Sequence, residues 1–425
     1  MNVMDAIKAG FDWFFGLGGT VFVPVIMFTL CMIFKGGLSR SIRSAIFFGI
    51  GLTGLNLIID LSINAMTPVT LALSDRLGVN YNVIDIGYGN VSIAWTWPGV
   101  IWVILGIIAL NLVCVLLKLT KTLWVDMWNI WHGEFIAALM WALTGSITIG
   151  VGSGLLLLLI NMFLADYHAE RIQEFNGLEG ISVVATSGTF TASFAQIVMK
   201  GIERIPGLRN IKASPEEIKN KFGILGEMAV VGALMGIVMG IVGGFNVTET
   251  LQLSIKLAAV LVILPRMLSL IAEGIIPISN ALSKFMRQKF PDRELMIAVD
   301  PAILLGDPSV MSTVIIMFPI SVLVTAILPG SNFLAVASLA AMPYWVGGMV
   351  PYTKGNVVHT VIVATLWIIP TTLIASSMAG IITEASQLTG LFTDQIADGA
   401  LFTNWEEGGN FLLWLLVKIA HLFGY

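Results

Sequence analysis

The chain has 425 residues, of which 57% are hydrophobic and 11% charged, with a net charge of −4 and a mean hydropathy of +0.91. A soluble domain is about a quarter charged, so this composition excludes an ordinary soluble protein and places the chain in a bilayer. No basic block points to nucleic acid, and in a membrane protein the distribution of Lys and Arg says more than their sum.

The opening MNVMDAIKAGFDWF lacks the basic start and small-residue cleavage site of a signal peptide, so the first apolar run is expected to be retained. From Phe11 to Phe423 such runs recur, each of about 20 residues and long enough to cross ~30 Å of hydrocarbon as a helix. They do not alternate with period two, which sets aside an outer-membrane barrel. Eleven spans are predicted, near residues 12–34, 42–62, 98–118, 135–165, 180–200, 222–245, 251–275, 309–329, 332–350, 358–381 and 409–424. Cys31 and Cys114 both fall inside apolar runs, which excludes a disulfide framework or a cysteine metal site.

Basic residues follow the odd-numbered spans. Lys35, Arg40 and Arg43 follow the first, Lys118 and Lys121 the third, Lys200 to Lys221 the fifth, and Lys284 to Arg293 the seventh. The loop after the tenth span has acids and no Lys or Arg. This pattern predicts the N-terminus outside and the C-terminus in the cytoplasm.

Two segments fit no simple span: Ile63 to Trp97, and Ile297 to Ser309 with its AVDPAILLGDPS. Both are rich in Gly, Pro and apolar residues, and non-helical backbone at membrane depth must be buried in protein or line a cavity. Both are predicted to be re-entrant.

The sequence FGLGGTVFVPVIMFTLCMIFKGG from Phe15 parallels FGILGEMAVVGALMGIVMGIVGG from Phe222, with Gly36-Gly37 matching Gly243-Gly244. Further on, Asp75-Arg76 and Asp292-Arg293 stand in matching places, which sets Asp85 opposite Asp300. An odd number of crossings separates the copies, so they are expected to be inverted, as in transporters that alternate access around a midplane site. The expected division is residues 1–210 for the first repeat, 211–382 for the second, and 383–425 for an acidic extracellular loop with a C-terminal helix.

Carboxylates at membrane depth cost about 2.5–3.5 kcal/mol or more and usually face a cavity or a partner. Asp85, Glu134, Glu179, Glu227, Glu273, Asp300 and Asp307 are the acids in question. Glu227 and Glu273, near span ends, read as interfacial. Asp85 and Asp300 read either as ligand contacts or as helix caps, and Pro301 suits a first helical position. Glu179 lies between glycines that permit a tight turn, with the Thr186, Ser187 and Thr189 hydroxyls following. Such a set can meet a polyhydroxylated ligand, or Glu179 can cap the helix after it. The stretch WVDMWNIWHGEF places Asp126, Asn129, His132 and Glu134 among three tryptophans, either as part of a site or as an aromatic interfacial belt. No metal-ligand spacing, Walker motif or hydrolytic triad is present, so no cofactor and no catalytic centre of the chain's own are expected.

At WNIWHGEF, NGLEGI, IERIPGLRNIKASPEEIKNKFGILGE and VDPAILLGDPSV, the chain resembles the IIC membrane component of the galactitol family of the phosphoenolpyruvate-dependent phosphotransferase system. The resemblance runs over nearly the whole chain. It implies an all-α, eleven-span, inverted-repeat homodimer of the bacterial plasma membrane, related to ascorbate transporters, whose core moves against a dimerisation scaffold. It further implies inward transport of a polyol or sugar, and phosphorylation of that solute by a cytoplasmic IIB protein that receives its cysteine phosphate from IIA. Substrate contacts are implied around Asp85 to Asn90, at His132, from Glu179 through Thr186, Ser187 and Thr189, and from Asp300 to Asp307. Basic cytoplasmic loops can dock such a partner by complementary charge, or reflect only the positive-inside bias. The chain departs from the galactitol pattern where His-Gly-Thr is replaced by Ala185, Thr186 and Ser187, and where Asp307 replaces a His after LLG. Exchanging an imidazole for a carboxylate changes which hydroxyl pattern is satisfied, so galactitol is one polyol or sugar among several. The competing readings are a proton-coupled secondary transporter, with Glu179, Asp300 or Asp307 exchanging the proton, and a sugar receptor that does not transport.

Overall fold

The computed structural model describes residues 19–77, 83–177, 179–211, 227–289, 295–397 and 399–425. The Phe15 and Phe222 starts of the two similar runs, the basic residues Lys212, Lys219 and Lys221, and the Asp292-Arg293 pair lie outside the described residues.

Helices dominate. The first part of the chain runs α1 (Gly19–Ile33), α2 (Leu38–Leu77), β1 (Val83–Asp85), α3 (Gly89–Thr96), α4 (Val100–Leu116), β2 (Thr122–Leu123), α5 (Trp131–Thr144), α6 (Ile147–Asn176), β3 (Ile181–Val183), α7 (Thr186–Ile202) and α8 (Pro206–Arg209). It continues with α9 (Met228–Gly243), α10 (Val247–Lys289), β4 (Met296–Val299), a 3-10 helix (Pro301–Gly306) and α11 (Pro308–Ile327). A second 3-10 turn (Ala337–Ala341), α12 (Met342–Thr353), α13 (Val357–Leu388), α14 (Thr393–Ala397), β5 (Leu401–Thr403) and α15 (Phe411–Leu422) complete it.

Among the described residues five helices are long and apolar enough to cross a bilayer: α6, α11, α13, and the stretches Leu38–Met66 of α2 and Val247–Ile278 of α10. A sixth arises if α3 and α4, bent by 86° at their break, act as one span. The chain is therefore a multi-pass membrane protein. Several predicted spans take another form. The apolar run 135–165 is cut into α5 and α6, because Gly145 closes α5 in the left-handed region (φ 68°) and the Ser146 side chain accepts from Ile149 N to start α6. The run 332–350 is an extended stretch, a 3-10 turn and the 12-residue α12, which spans only about 18 Å by itself. The segment from Ile63, read as re-entrant, continues α2 as far as Leu77.

Short strands knit the interior, although the composition predicts helices alone. β4 lies between β2 and β3, all parallel, with Ile297 opposite both Leu123 and Ile181. β1 pairs with β5 in parallel, Asp85 opposite Thr403, and Val83 N also donates to Asn332 O at 3.3 Å. Strands from each half of the chain thus complete the hydrogen bonds of the other, which is how non-helical backbone inside a membrane protein is satisfied.

Between helices in lipid there is little hydrophobic drive to associate, and close backbone approach supplies the packing instead. α5 and α6 meet at Gly133 and Gly154, where a Cβ on Gly154 would sit 2.5 Å from the Gly133 carbonyl oxygen. α9 lies on α10 through Gly232, Gly236 and Gly240, which face Ala258, Ser254 and Thr250. α2 crosses α10 at Gly51 and Gly274, each tight against backbone of the other helix. These contacts fix the long helices around a buried centre rich in tryptophan, including Trp95, Trp97, Trp131 and Trp405.

Candidate functional site

Several helix starts and strand ends converge on a cavity of about 290 Å³, near the lower end of the ~300–1,000 Å³ usual for small-molecule sites. Tyr88, Trp128, Trp131 and Tyr344 supply aromatic walls, Asn129, His132, Ser187, Asp300 and Glu406 supply polar groups, and Leu268 and Ser269 of α10 face them.

Each polar group is placed by local structure. Asp300 follows β4 directly and caps the 3-10 helix after it, with Oδ1 accepting from Ala302 N at 2.8 Å and Pro301 in the first turn. Its other oxygen, Oδ2, accepts from Asn129 Nδ2 at 2.9 Å. Asp126 holds the turn before α5, with Oδ1 accepting from the backbone N–H of Trp128 and Asn129, each at 3.1 Å, and Oδ2 accepting from Asn129 Nδ2 at 2.6 Å. The Asn129 amide therefore sits between two carboxylates.

His132, in the first turn of α5, stacks on Trp131 at 4.0 Å between ring centroids. Its Nε2 lies 3.2 Å from Asn129 Oδ1 and its Nδ1 lies 2.6 Å from Glu407 Oε1. Glu407 is in turn held by Asn410, whose Nδ2 donates to Oε2 at 2.6 Å while its Oδ1 caps α15. Glu406 is buried, with the Tyr88 and Ser187 hydroxyls facing its carboxyl, and its Oε2 makes no hydrogen bond among the described residues. Aromatic faces beside carboxylates and hydroxyls suit a ligand with C–H faces and O–H donors.

Of the residues singled out in the sequence, His132, Ser187 and Asp300 lie on the cavity. Asp85 does not line it. Its carboxylate is buried and accepts from Gly87 N, Val336 N, Ser338 N and Ser338 Oγ, locking the end of β1 to the second 3-10 turn. Asp307 caps α11 by accepting from Ser309 N at 2.8 Å. Thr186 and Thr189 are both engaged by Asn161 of α6, at 3.0 and 2.9 Å. Asn90 is buried with neither side-chain polar atom hydrogen-bonded among the described residues. Glu179 is exposed on the turn between α6 and β3. The glycines there serve that turn: Gly177 (φ 66°) closes α6, and Gly180 (φ 72°) offers its carbonyl to Ile297 N of β4 at 2.9 Å. Glu134 is fully buried, with Oε2 accepting from Trp97 Nε1 at 2.7 Å, while Glu227 and Glu273 are exposed.

Tyr88 falls within the Asp85 to Asn90 segment singled out in the sequence, whereas sequence reasoning missed Tyr344 and, beyond it, Glu406 and Glu407. The last two belong to a stretch read from its acids as a loop, yet residues 402–410 are buried. The local signal was NWEEGGN, which sets two acids beside paired glycines and two asparagines immediately before an apolar run.

The chain matches, over residues 13–395, the family model EIIC-GAT, described as PTS system sugar-specific permease component. It is 31% identical over 404 residues to the PTS system galactitol-specific EIIC component of Escherichia coli (strain K12), covering 95% of this chain and 89% of that protein. The galactitol-specific EIIC component of Escherichia coli O157:H7 matches to the same extent. A putative permease IIC component of Escherichia coli (strain K12) is 32% identical over 375 residues, covering 88% of this chain and 86% of that protein. The chain therefore belongs to the EIIC-GAT family and is a sugar permease subunit of a phosphotransferase system, resident in the membrane.

Proposed function

We propose that the cavity holds a polyol or sugar during inward transport, and that a cytoplasmic IIB protein, charged by IIA, phosphorylates the solute. The observation that carries this reading is the cavity wall itself: four aromatic rings with Asp300 and Glu406 as hydroxyl acceptors. The names of the galactitol-specific relatives support a polyol as the first solute to try. Membrane vesicles holding the chain, supplied with IIA, IIB and phosphoenolpyruvate, are expected to accumulate labelled galactitol or a related polyol as its phosphate ester. Accumulation of unmodified solute under a proton gradient, without IIB, would overturn the reading.

The same proposal includes two inverted repeats, an N-terminus outside, a cytoplasmic C-terminus, re-entrant segments at β1–α3 and at β4 with its 3-10 helix, and a homodimer. Element order supports the repeats. Apart from β2 and α8 in the first half and the second 3-10 turn and α14 in the second, each half has a helical hairpin followed by a strand, a short helix, a longer helix, a second short helix, a long helix, a strand and a final helix. Gly36-Gly37 and Gly243-Gly244 both close such a hairpin, with the second glycine at φ 89° and 73° respectively. On this order the second repeat runs on to α15, beyond the boundary near 382. Accessibility of single cysteines at Ser39 and Phe245 to an impermeant thiol reagent checks the orientation, and native mass spectrometry checks the dimer.

A further inference from the structure

We propose that Asn161 and His168 of α6 are positioning residues that set the rotation of α7, so that Ser187, and neither Thr186 nor Thr189, presents its hydroxyl to a ligand. This rests on the transport reading above and concerns how the hydroxyl pattern of the solute is selected.

α7 begins inside the protein, where β3 leads into it and residues 182–189 are all buried. In apolar surroundings little hydrophobic drive favours one face of such a helix over another, so close packing and hydrogen bonds set its rotation. Successive residues of an α-helix are about 100° apart, which puts Thr186, Thr189 and Ser193 within about 60° of one another and Ser187 at least about 100° from each. Asn161 spans the first two of that face: its Nδ2 donates to Thr186 Oγ1 at 3.0 Å, and its Oδ1 accepts from Thr189 Oγ1 at 2.9 Å. Two turns further along α6, His168 Nε2 lies 2.7 Å from Ser193 Oγ. The Ser193 hydroxyl donates to Thr189 O at 2.9 Å, so Nε2 carries the hydrogen between them, and Nδ1 is left to meet the Tyr352 hydroxyl of α12 at 2.5 Å. Asn161 and His168 are both 0% exposed, and neither lines the cavity. On another side of α7, Thr191 Oγ1 donates to Ser187 O and Gly348 of α12 lies against Thr191, so the helix is held between α6 and α12.

Thr186 and Thr189 offer the same chemistry as Ser187, but Asn161 engages both of their hydroxyls. Ser187 remains, lining the cavity with its hydroxyl facing Glu406. A rotation of α7 by about 100° would bring Thr186 to that place, with an added methyl group where the ligand must fit. Fixing a register in this way is the best-attested use of polar groups buried between helices.

The test is a set of double-mutant cycles on the purified full chain, read by calorimetric titration with galactitol, D-sorbitol, D-arabitol and D-galactose. Asn161→Leu and Thr189→Val cut the first contact and Ser193→Ala cuts the second, the last two with little change of shape. Each is expected to weaken binding of the compound bound best by about tenfold, as is Ser187→Ala. In the Ser187→Ala background the same three substitutions are expected to change affinity by less than about threefold, because the hydroxyl they aim is gone. A merely structural role would lower affinity by the same factor in either background. Losses that multiply to about a hundredfold in the double variants therefore overturn the proposal, as does wild-type affinity of both Thr189→Val and Ser193→Ala, and either result leaves the transport reading standing. Failure of every compound to bind the unsubstituted chain would instead remove the transport reading, and this inference with it.

Discussion

His132 Nδ1 and Glu407 Oε1 lie 2.6 Å apart although 275 residues separate them, and their side chains are 1% and 0% exposed. The pair ties α5 to the segment before α15 across the cavity wall. Glu407 receives two donors, from His132 and Asn410, and needs both oxygens as acceptors. Glu407→Gln offers one acceptor in place of two. It is expected to lower stability by about 1–3 kcal/mol and to weaken solute binding by about tenfold. Glu407→Ala leaves the buried Nδ1 of His132 without its partner and is expected to cost about 3 kcal/mol or more. Thermal unfolding of the detergent-solubilised variants, read beside binding isotherms, checks both; wild-type behaviour of Glu407→Ala would remove the pair from the account.

Asn129 holds Asp126 and Asp300 together by donating to both. Asn129→Asp replaces that donor with a third carboxylate, whereas Asn129→Ala removes it, and the acceptor for His132 Nε2 with it, without adding charge. Binding by Asn129→Asp is expected to fall by about tenfold more than binding by Asn129→Ala at neutral pH. The difference is expected to shrink as pH falls, because protonating one carboxylate restores a donor and relieves the repulsion. Titrations of both variants across a range of pH check the sign.

The approach of α5 to α6 sets where His132 stands. A methyl group on Gly154 would meet the Gly133 carbonyl oxygen at 2.5 Å, whereas Gly152, on the same helix, has nothing within 4 Å of its added Cβ. Gly154→Ala is expected to cost about 1–3 kcal/mol and to weaken binding by displacing α5. Gly152→Ala is expected to be neutral, or to stabilise by up to about 1 kcal/mol through helix propensity. A matched thermal-shift measurement that ranks the two the other way would argue against glycine-mediated placement of the site.

Asp300 and Glu179 were both marked by sequence, but only Asp300 lies on the cavity wall. Asp300→Asn keeps the size of the side chain while replacing an acceptor oxygen with a donor. It is expected to weaken solute binding by about a hundredfold. Glu179→Gln changes an exposed turn residue and is expected to leave affinity within about threefold of wild type. Equal losses in the two variants would place Glu179 at the ligand in some other conformation of the protein.

Much of the architecture was legible in the sequence because the signals are local. The paired glycines at Gly36-Gly37 and Gly243-Gly244 marked the ends of two matching apolar runs, and each pair carries a left-handed second residue. Pro301 after Asp300 marked a cap, and the structure has Asp300 accepting from Ala302 N. In contrast, the break between α5 and α6 lay inside a continuous apolar run, where hydropathy does not distinguish one helix from two.

The sequence by itself determined that this chain lives in a bilayer and to which family it belongs. Each follows from properties of neighbouring residues: their hydrophobicity, their turn chemistry and their short motifs. Only the tertiary structure decided the partner of each acid. Asp85 serves Val336 and Ser338, more than 250 residues away, as a structural acceptor. Glu407 meets His132, and Glu179 is exposed between two left-handed glycines. A buried polar group takes whichever partner the packing delivers, and here packing depends on where glycines let distant backbones touch.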